Sequence, residues 1–554
     1  MYPTPFRVII GDMPPFDVIF VLPYPFADHP SFPEGLLKKA LEASGFSVGI
    51  IETPSWQKKE AFQGLGRPRL FFAIISGPVD SLVLNYTANR KRRKEDLYQW
   101  GGKAFFDGTP LSVAHKIRPD RTVIVFANRL REAFKGVPIV IGGIEASLRL
   151  FAHYDFLEDR IRRSILLDSR AAIAVTGMGE RQLVALARSC REGIPLEEAA
   201  LQGTARVCAG PPDGQETVIL PSLEEVQHDP VRLLDAQVLI EKARLAGKRL
   251  AQGQGGRYIV AEPSEVYSRS DLDSIYGRPY RRSHLDRKAL SPALQMNLFS
   301  IDTHRGCGGE CAFCAIGVHQ GKRVISRSRE SIVGEAHRLI RHPRWRGFIS
   351  DLGGPSAEMY GMDCGEGSCV RGSCLFPKVC PRLPPVRSFV ELLREIRALS
   401  GIQKVFLGSG IRYDLFLNHP DLLKEILLYH VGRFLRIAPE HTQGTVLSLM
   451  RKPPFESLKA FVRLFQRVSR GLSRPVELRP YLIVGHPGET PVDVREMASR
   501  LKALSLPATD VQIFTPTPGT LATAMYYAEM APDRRPIPVE KRISALVERK
   551  ALLT

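Results

Sequence analysis

Three cysteines at short, unequal intervals are the residues of this chain best suited to chemistry. Cys307, Cys311 and Cys314 follow the pattern Cys-x3-Cys-x2-Cys. Three thiolates can bind three irons of a 4Fe–4S cubane and leave the fourth iron open, whereas a structural cluster or zinc site normally has four protein ligands. The spacing therefore indicates a cluster with one open iron. A zinc knuckle with a borrowed fourth cysteine and buried free thiols remain as alternatives.

Polar and glycine-rich segments follow later predicted strands of the same domain. Gly353 and Gly354 follow the second strand, Ser409 and Arg412 the third, and Glu440 the fourth. Active sites in β/α barrels gather at the carboxyl ends of the strands, so these residues are candidates for binding a cofactor. Helix capping or a surface ion pair is the alternative for Ser409, Arg412 and Glu440.

The cysteine segment resembles the radical S-adenosylmethionine (SAM) superfamily in residues 303–306 and in Phe313. This resemblance implies that the open iron binds SAM and that Gly353 and Gly354 meet the SAM amino group. Pro355 stands where an acidic residue is common, so we expect only a backbone contact there. The resemblance also implies that Ser409, Arg412 and Glu440 lie near the ribose and carboxylate of SAM.

The similarity to one family, the YgiQ-type radical SAM proteins, runs from about residue 16 to residue 530. It is carried by residues 28–32, 305–321, 351–359, 438–442 and 525–527. The substrate of that family is not established, so the resemblance implies a cofactor and a fold. We expect reductive cleavage of SAM to methionine and a 5′-deoxyadenosyl radical, an unknown substrate, and an electron donor such as flavodoxin or ferredoxin. No catalytic side chain is identifiable from the sequence.

A second cysteine group follows the glycine pair. Seven of the nine cysteines lie between residues 307 and 380, and such clustering in a reducing compartment is typical of metal binding. The second group could bind zinc or a second iron–sulfur cluster, or consist of unliganded thiols. Its members are Cys364, Cys369, Cys374 and Cys380. Cys190 and Cys208 are interpreted as ordinary buried residues.

Residues 1–225 are predicted to form an α/β domain with a doubly wound parallel sheet. The predicted strands are 16–22, 47–51, 70–75, 122–126, 138–141 and 172–176, and the predicted helices are 34–44 and 180–190. The domain resembles the cobalamin-binding domains that precede many radical SAM barrels. Those domains carry Asp-x-His-x-x-Gly, but Asp28 and His29 are adjacent here, so we expect cobalamin to be unlikely.

The rest of the chain is predicted as three segments. Residues 226–295 are interpreted as a helix and linker, residues 296–530 as a partial (β/α)6 radical SAM barrel, and residues 531–554 as a C-terminal tail. The predicted barrel strands are 298–303, 347–351, 404–407, 434–437, 478–484 and 511–514. The predicted barrel helices include 329–340, 389–399 and 492–504.

The composition limits the partners. No apolar run of about 18 residues occurs and the first residues do not form a signal peptide, so we expect a cytoplasmic protein without a membrane partner. The net charge of +19 and the basic run 90–94 make nucleic acid a possible but unproven partner. Two functions remain as alternatives: an RNA-modifying methylthiotransferase-like enzyme and a non-catalytic iron–sulfur sensor or binding protein.

Overall fold

The structure is a computed structural model that describes residues 15–106, 116–212, 216–285, 289–355, 358–365, 369 and 371–554. The first residues, for which no signal peptide is expected, lie outside the described residues. The chain forms two compact units. The first comprises Met1–Val266 and Arg278–Leu298, and the second comprises Tyr267–Gly277 and Phe299–Thr554.

Strands and helices alternate along the described residues. The strands are β1 (Val18–Leu22), β2 (Ala27–Asp28), β3 (Val48–Glu52), β4 (Phe71–Ile75), β5 (Ile139–Gly142), β6 (His153–Asp155), β7 (Arg160–Arg162), β8 (Ile173–Val175), β9 (Thr204–Cys208), β10 (Thr217–Leu220), β11 (Arg249–Gln254), β12 (Arg257–Ala261), β13 (Ser283–His284), β14 (Ser300–Asp302), β15 (His304–Arg305), β16 (Ile325–Ser326), β17 (Phe348–Ile349), β18 (Asp351–Gly353), β19 (Lys404–Val405), β20 (Phe434–Glu440), β21 (Glu477–Val484) and β22 (Asp510–Ile513). The α-helices are α1 (Pro33–Ala43), α2 (Ser81–Asn85), α3 (Thr122–Ala133), α4 (Ile144–Leu148), α5 (Ile165–Ser169), α6 (Glu180–Arg191), α7 (Leu223–His228), α8 (Pro230–Leu245), α9 (Arg269–Tyr276), α10 (Pro292–Asn297), α11 (Ala315–Gln320), α12 (Arg329–Ile340), α13 (Arg387–Arg397), α14 (Pro420–Tyr429), α15 (Gly444–Met450), α16 (Phe455–Ser469), α17 (Pro491–Ala503), α18 (Leu521–Ala528) and α19 (Ile543–Ala551).

The first unit is built on a nine-stranded sheet with the order β10-β11-β12-β9-β8-β5-β4-β1-β3. Five of these nine strands, β3, β1, β4, β5 and β8, run parallel to one another. Their order, 2-1-3-4-5 in chain sequence, is that of a flavodoxin-like doubly wound sheet. The large parallel sheet predicted for this part of the chain is therefore confirmed.

The strand sequences explain why this sheet is covered on both faces. β1 is apolar at every position, and successive side chains of a strand point to opposite faces. Ile19 and Val21 pack with residues of α3, while Val18, Phe20 and Leu22 pack with residues of α1 and α6. Strands buried on both faces appear as continuous apolar runs, which is the pattern of parallel sheets between helices.

One predicted strand of this unit is wrong. Residues 122–126 were expected to be extended because they form an apolar run of strand length, but they begin the helix α3. The residues that follow explain the difference, since Val123, Phe126, Ala127 and Leu130 recur at helical spacing and are buried on one face. The helical period over twelve residues outweighs the strand preference of the first five.

The segment 226–295 was expected to be a helix and linker, but much of it is folded into the first unit. After α8 the chain forms the hairpin of β11 and β12, and both strands belong to the nine-stranded sheet. Gly255 and Gly256 form its two-residue turn with φ of +59° and +75°, which glycine adopts without steric cost. The glycines that suggested a linker instead make a hairpin turn.

Most strands of the second unit pair in parallel. β14 pairs with β18, β17 with β19, and β20, β21 and β22 form a three-stranded sheet, all in parallel. A parallel bridge between Ile411 and Ile437 connects the segment after β19 with β20. Each predicted strand of this region coincides with an observed strand to within a few residues.

The C-terminal residues are more than a tail. Residues 543–551 form α19, and its Leu546 and Arg549 are buried. Leu546 lies against Gly485, directly after β21. Across the part of the chain that the structure describes, no helix is both long and apolar enough to cross a membrane.

Candidate functional site

The loop that carries Cys307, Cys311 and Cys314 starts at the end of β15 and is shaped by its backbone. Gly306 has a φ of +80°, and a Cβ atom there would lie 1.9 Å from the carbonyl oxygen of Arg323, so only glycine fits. The N–H of Cys307 donates to the carbonyl of Gly321 at 3.1 Å, and that of Cys314 donates to the carbonyl of Cys311 at 3.0 Å. These contacts fold the three cysteines into one compact loop.

The three thiols fit the requirements of a cluster bound by this loop. A Cβ atom on Gly309 would lie 2.9 Å from Nη1 of Arg412, 3.4 Å from Sγ of Cys307 and 3.8 Å from Sγ of Cys311, so glycine lets the guanidinium and both sulfurs approach the backbone here. All three thiols are free of disulfides. Burial raises the pKa of Cys314 to about 12, and the charges of Cys311, Cys307 and Glu440 act in the same direction. A thiolate at this position needs a compensating cation, which a coordinated metal would supply.

Arg412 brings a positive charge to the cysteine loop. Its Nη1 lies 3.9 Å from Sγ of Cys311, while Nε and Nη2 donate to the carboxylate of Asp414 at 3.2 and 3.0 Å. The backbone N–H of Arg412 donates to Glu358. The ion pair with Asp414 is nearly buried, with 10% and 6% of the two side chains exposed, so it is not the surface ion pair considered as the alternative.

Glu358 is a carboxylate of this site that the sequence reasoning missed. It is buried, and burial raises its pKa to about 8. Its Oε1 accepts from Arg412, and its Oε2 has no hydrogen-bond partner in the described residues. The sequence signal for Glu358 is weak, because this acidic residue lies four positions after Gly354. The superfamily pattern has its acidic residue directly after the glycines, where this chain has Pro355.

The glycine pair lies beside the start of the cysteine loop. Thr303 donates from its backbone N–H and from its hydroxyl to the carbonyl of Gly353, at 2.6 and 3.0 Å. A Cβ atom on Gly354 would lie 2.4–2.6 Å from ring atoms of His304, so the buried imidazole excludes any side chain there. The Thr303 hydroxyl donates its hydrogen to Gly353, so its oxygen accepts from Nδ1 of His304 at 2.9 Å. Burial lowers the pKa of His304 to about 3, so this ring is neutral.

Ser409 is placed differently from the other candidates. Its hydroxyl donates to Oδ2 of Asp351 at 2.5 Å, and the N–H of Gly408 donates to Oδ1 at 2.9 Å. Ser409 is exposed and its hydroxyl hydrogen is already used. Its hydroxyl oxygen remains as an acceptor for a ligand.

Glu440 ends β20 with a strained backbone. Its φ of +65° is rare for a residue with a side chain. Its carboxylate lies 3.7 Å from Nζ of Lys452, and 12% of the Glu440 side chain is exposed. Burial raises the pKa of Glu440, while Lys452 and Arg412 oppose this shift. Glu440, Arg412 and the cysteine loop thus belong to one electrostatic cluster.

Phe313 and the loop after β21 meet at a second side of the cysteine loop. The ring centroids of Phe313 and His486 are 6.2 Å apart in an edge-on arrangement. His486 is buried, and burial lowers its pKa to about 3. Its Nδ1 donates to the carbonyl of Pro487 at 2.9 Å, so Nε2 carries an unshared lone pair.

The second cysteine group is joined to the first by backbone contacts. The N–H of Cys374 donates to the carbonyl of Gly308 at 2.8 Å, and a Cβ atom on Gly308 would lie 3.2 Å from Sγ of Cys374. Nζ of Lys322 lies 3.8 Å from Sγ of Cys369. Burial raises the pKa of Cys374, with smaller contributions from Lys322, which lowers it, and from the thiols of Cys364, Cys369 and Cys380, which raise it.

Neither cysteine group has the arrangement of ligands around one ion. Among the described residues, no three His, Cys, Asp or Glu side chains converge closely enough to share a single metal ion. In a cubane each thiolate binds a different iron, so the thiolates stand farther apart than the ligands of one zinc ion. A cluster at the first triplet therefore does not require the three thiols to converge on one point.

In the first unit, the loop after β1 has its own buried polar contacts. Nδ1 of His29 accepts from the N–H of Ser31 at 3.0 Å, and Nε2 lies 2.8 Å from Nη1 of Arg282 and 3.4 Å from the carbonyl of Leu298. Glu34 is buried nearby and accepts from the hydroxyl of Tyr24 at 3.0 Å. Both ring nitrogens of His29 thus have partners within the first unit.

The two-unit α/β fold and the cysteine loop are those expected of a radical SAM protein, and the comparisons with known proteins agree. Residues 11–300 match the family model described as Radical SAM N-terminal. The chain is 44% identical over 529 residues to a UPF0313 protein of Geobacter sulfurreducens, covering 93% of this chain and 85% of that protein. It is 38% identical over 561 residues to a UPF0313 protein of Methanosarcina mazei, covering 93% and 88%. The chain belongs to the UPF0313 family, and the resemblance to a radical SAM family is confirmed.

Solved structures show a similar fold at low identity. The radical SAM methyltransferase TsrM of Kitasatospora setae, solved with tryptophan and a SAM analogue, matches with a TM-score of 0.50 and 18% identity, covering 90% of this chain and 74% of that chain. Another structure of TsrM, with a TM-score of 0.49, 20% identity and coverage of 91% and 73%, is described with cobalamin and a 4Fe–4S cluster bound. The expectation that cobalamin is unlikely gains no support from these comparisons.

Proposed function

We propose that this protein is a radical SAM enzyme in which Cys307, Cys311 and Cys314 bind a 4Fe–4S cluster with one open iron. The observation that carries the proposal is the cysteine loop itself, since Gly309 lies against the sulfurs of Cys307 and Cys311, none of the three thiols is in a disulfide, and Arg412 places a cation beside Cys311. When bound and reduced, such a cluster supplies the electron that cleaves SAM to methionine and a 5′-deoxyadenosyl radical. The radical acts on a substrate that the structure does not identify.

In this proposal the residues of the chain bind and orient SAM. Gly353 and Gly354 present backbone groups to its amino end, while Arg412 and Glu440 lie beside Cys311 and Cys314 and can meet its carboxylate and ribose. The parallel strand pairs of the second unit support a partial (β/α)6 barrel, whose carboxyl ends carry all these residues. A small reduced protein such as flavodoxin or ferredoxin would supply the electron.

We further propose that Cys364, Cys369, Cys374 and Cys380 hold a second metal centre, either an iron–sulfur cluster or a zinc ion around which the thiols would have to draw closer than they stand in this structure. The backbone contact of Cys374 with Gly308 joins this group to the cysteine loop, directly after Cys307. The nearby ammonium of Lys322 favours a thiolate at Cys369. A metal at this place would act together with the first cluster or anchor a substrate.

Anaerobic reconstitution with iron and sulfide tests the first centre. With dithionite and SAM, we expect 5′-deoxyadenosine and a change of the cluster's EPR signal when SAM binds. The variant in which Cys307, Cys311 and Cys314 are all replaced by Ala should lose both, while a Cys190→Ala/Cys208→Ala variant should keep both. A cluster that neither changes its EPR signal with SAM nor forms 5′-deoxyadenosine would contradict the enzyme and favour an iron–sulfur sensor.

The triple variant also reports on the second group. Iron or zinc that remains in it belongs to the second site, and Cys374→Ser in the same background should release that metal. If the triple variant retains neither iron nor zinc after reconstitution with both, the second metal centre is refuted.

A further inference from the structure

The C-terminal helix α19 holds the turn that follows β21. Arg549, buried on this helix, donates from Nη1 to Oε1 and to the backbone oxygen of Glu489, at 3.1 and 3.2 Å. Oε1 of Glu489 also accepts from the N–H of Gly485 at 2.8 Å. Gly485 and Glu489 are the ends of this turn, so one guanidinium at position 549 fixes its shape.

Glu489 connects this turn to the end of β20. Its Oε2 lies 3.4 Å from Nε2 of His441, and neither side chain has exposed surface. Nδ1 of His441 accepts from the N–H of Gln443 at 3.0 Å, while Nε2 of His441 and Oε2 of Glu489 have no hydrogen-bond partner in the described residues. A buried carboxylate this close to a buried imidazole nitrogen interacts with it electrostatically and so favours the present orientation of the ring.

His441 directly follows Glu440, the residue with the left-handed backbone. A left-handed conformation in a residue with a side chain is unfavourable and persists only where its surroundings determine it. The carboxylate of Glu440 reaches Lys452, and the residues before Lys452 hold the cysteine loop. The carbonyl of Met450 accepts from the N–H of Ala312 at 3.1 Å, and Arg451 donates to the carbonyl of Glu310 at 3.5 Å.

We propose that Arg549 is a positioning residue for the SAM site. Through Glu489 and His441 it fixes the backbone of Glu440, so that this carboxylate stays beside the cysteine loop. The inference rests on the proposed function, since it assumes that Glu440 meets SAM. It gives the C-terminal helix a role in SAM binding, although this helix carries no motif typical of a ligand site. If Arg549 only anchored α19, its loss would lower stability without changing residues 437–443.

The test compares Arg549→Met with Arg542→Met, which removes the same charge from the same segment at a side chain that is 79% exposed. Hydrogen exchange is followed for peptide 437–443 in the protein without cluster or SAM, and SAM affinity is measured after reconstitution. For Arg549→Met we expect faster exchange at Gln443, whose N–H is bound to His441, and about tenfold weaker SAM binding at unchanged iron content. Arg542→Met should match the wild type, and Arg549→Lys should recover part of the affinity.

A double variant separates positioning from a general loss of stability. In a Glu440→Gln background, Arg549→Met should cause no further loss of SAM affinity, because both changes act through the same carboxylate. Unchanged exchange at 437–443, unchanged affinity, or fully additive losses would each overturn the proposal. If Arg549→Met does not fold, Arg549→Lys carries the same comparisons. If the EPR signal of the wild-type cluster does not change with SAM, the proposed function is refuted instead. The hydrogen-exchange result does not depend on that measurement, because it is obtained without cluster or SAM.

Discussion

Replacing Gly354 by Ala tests whether the glycine pair is required by its packing. The new Cβ would lie 2.4–2.6 Å from three atoms of the His304 ring, about 1 Å closer than ordinary contact. The ring has little freedom to retreat, because it is 1% exposed and Nδ1 is bound to Thr303. Overpacking of this kind costs about 1–3 kcal/mol, and at about 2–4 °C per kcal/mol the second unit should melt about 2–12 °C lower.

The same change should weaken SAM binding, since the pair is proposed to meet its amino group. Calorimetric melting and SAM titration of the reconstituted protein measure both effects, with Gly444→Ala as the control, because a Cβ atom there meets nothing within 4 Å. In a His304→Ala background the space is free, so Gly354→Ala should cost little further stability. If Gly354→Ala melts and binds SAM like Gly444→Ala, or if the His304→Ala background gives no relief, the packing argument is refuted.

Three other variants test separate features. Arg327→Met removes the buried partner of Glu335, since Nη1 of Arg327 lies 2.6 Å from Oε2 of Glu335. We expect the free energy of unfolding, followed by thermal melting, to fall by about 3–5 kcal/mol. The loss should be smaller when Glu335 is also replaced by Leu. Burial raises the pKa of Glu34 to about 8 from an ordinary value of 4.5, so the folded state binds the extra proton between these values and the contribution of Glu34 to stability should fall as pH rises from about 4.5 to 8. Glu34→Gln should reduce the pH dependence of the free energy of unfolding measured by urea titration. An unchanged pH dependence would contradict the raised pKa of Glu34. Cys374→Ser in the wild-type background should reduce bound metal while leaving the SAM-dependent EPR change in place, whereas Cys190→Ser should alter neither.

The elements that the sequence predicted well are those whose pattern is local. The predicted helix 329–340 coincides with α12, because Ile332, Ala336 and Leu339 recur at helical spacing and Ser328 accepts from the N–H of Ser331 at its start. The continuous apolar run of β1 identified a strand buried on both faces. The metal centre at the cysteine loop rests on residue type and spacing, since few other arrangements need three thiols within eight residues, and it stays a prediction.

The features that were missed depend on contacts between distant parts of the chain. Arg549 lies 60 residues from Glu489, and nothing in the sequence around either residue links them. The burial of Arg412 and Glu440 likewise follows from packing, so spacing alone left surface ion pairs open. The hairpin of β11 and β12 was interpreted as a linker because of its glycines and polar residues. One of these polar residues, Gln252, is buried and donates to the carbonyl of Pro221.

The shape of the cysteine loop shows why residue type alone does not define this site. Its backbone is held by Met450, which accepts from Ala312, by Ala522, which donates to Ala312, and by Cys374, which donates to Gly308. A backbone hydrogen bond can be made by almost any residue, so such contacts leave no signature in the sequence. Variants that shift these segments should therefore affect SAM binding as strongly as changes in ligand-type residues. The positions with the largest effects will include apolar ones such as Met450. Its side chain is fully buried, and its carbonyl accepts the hydrogen bond from Ala312 of the loop.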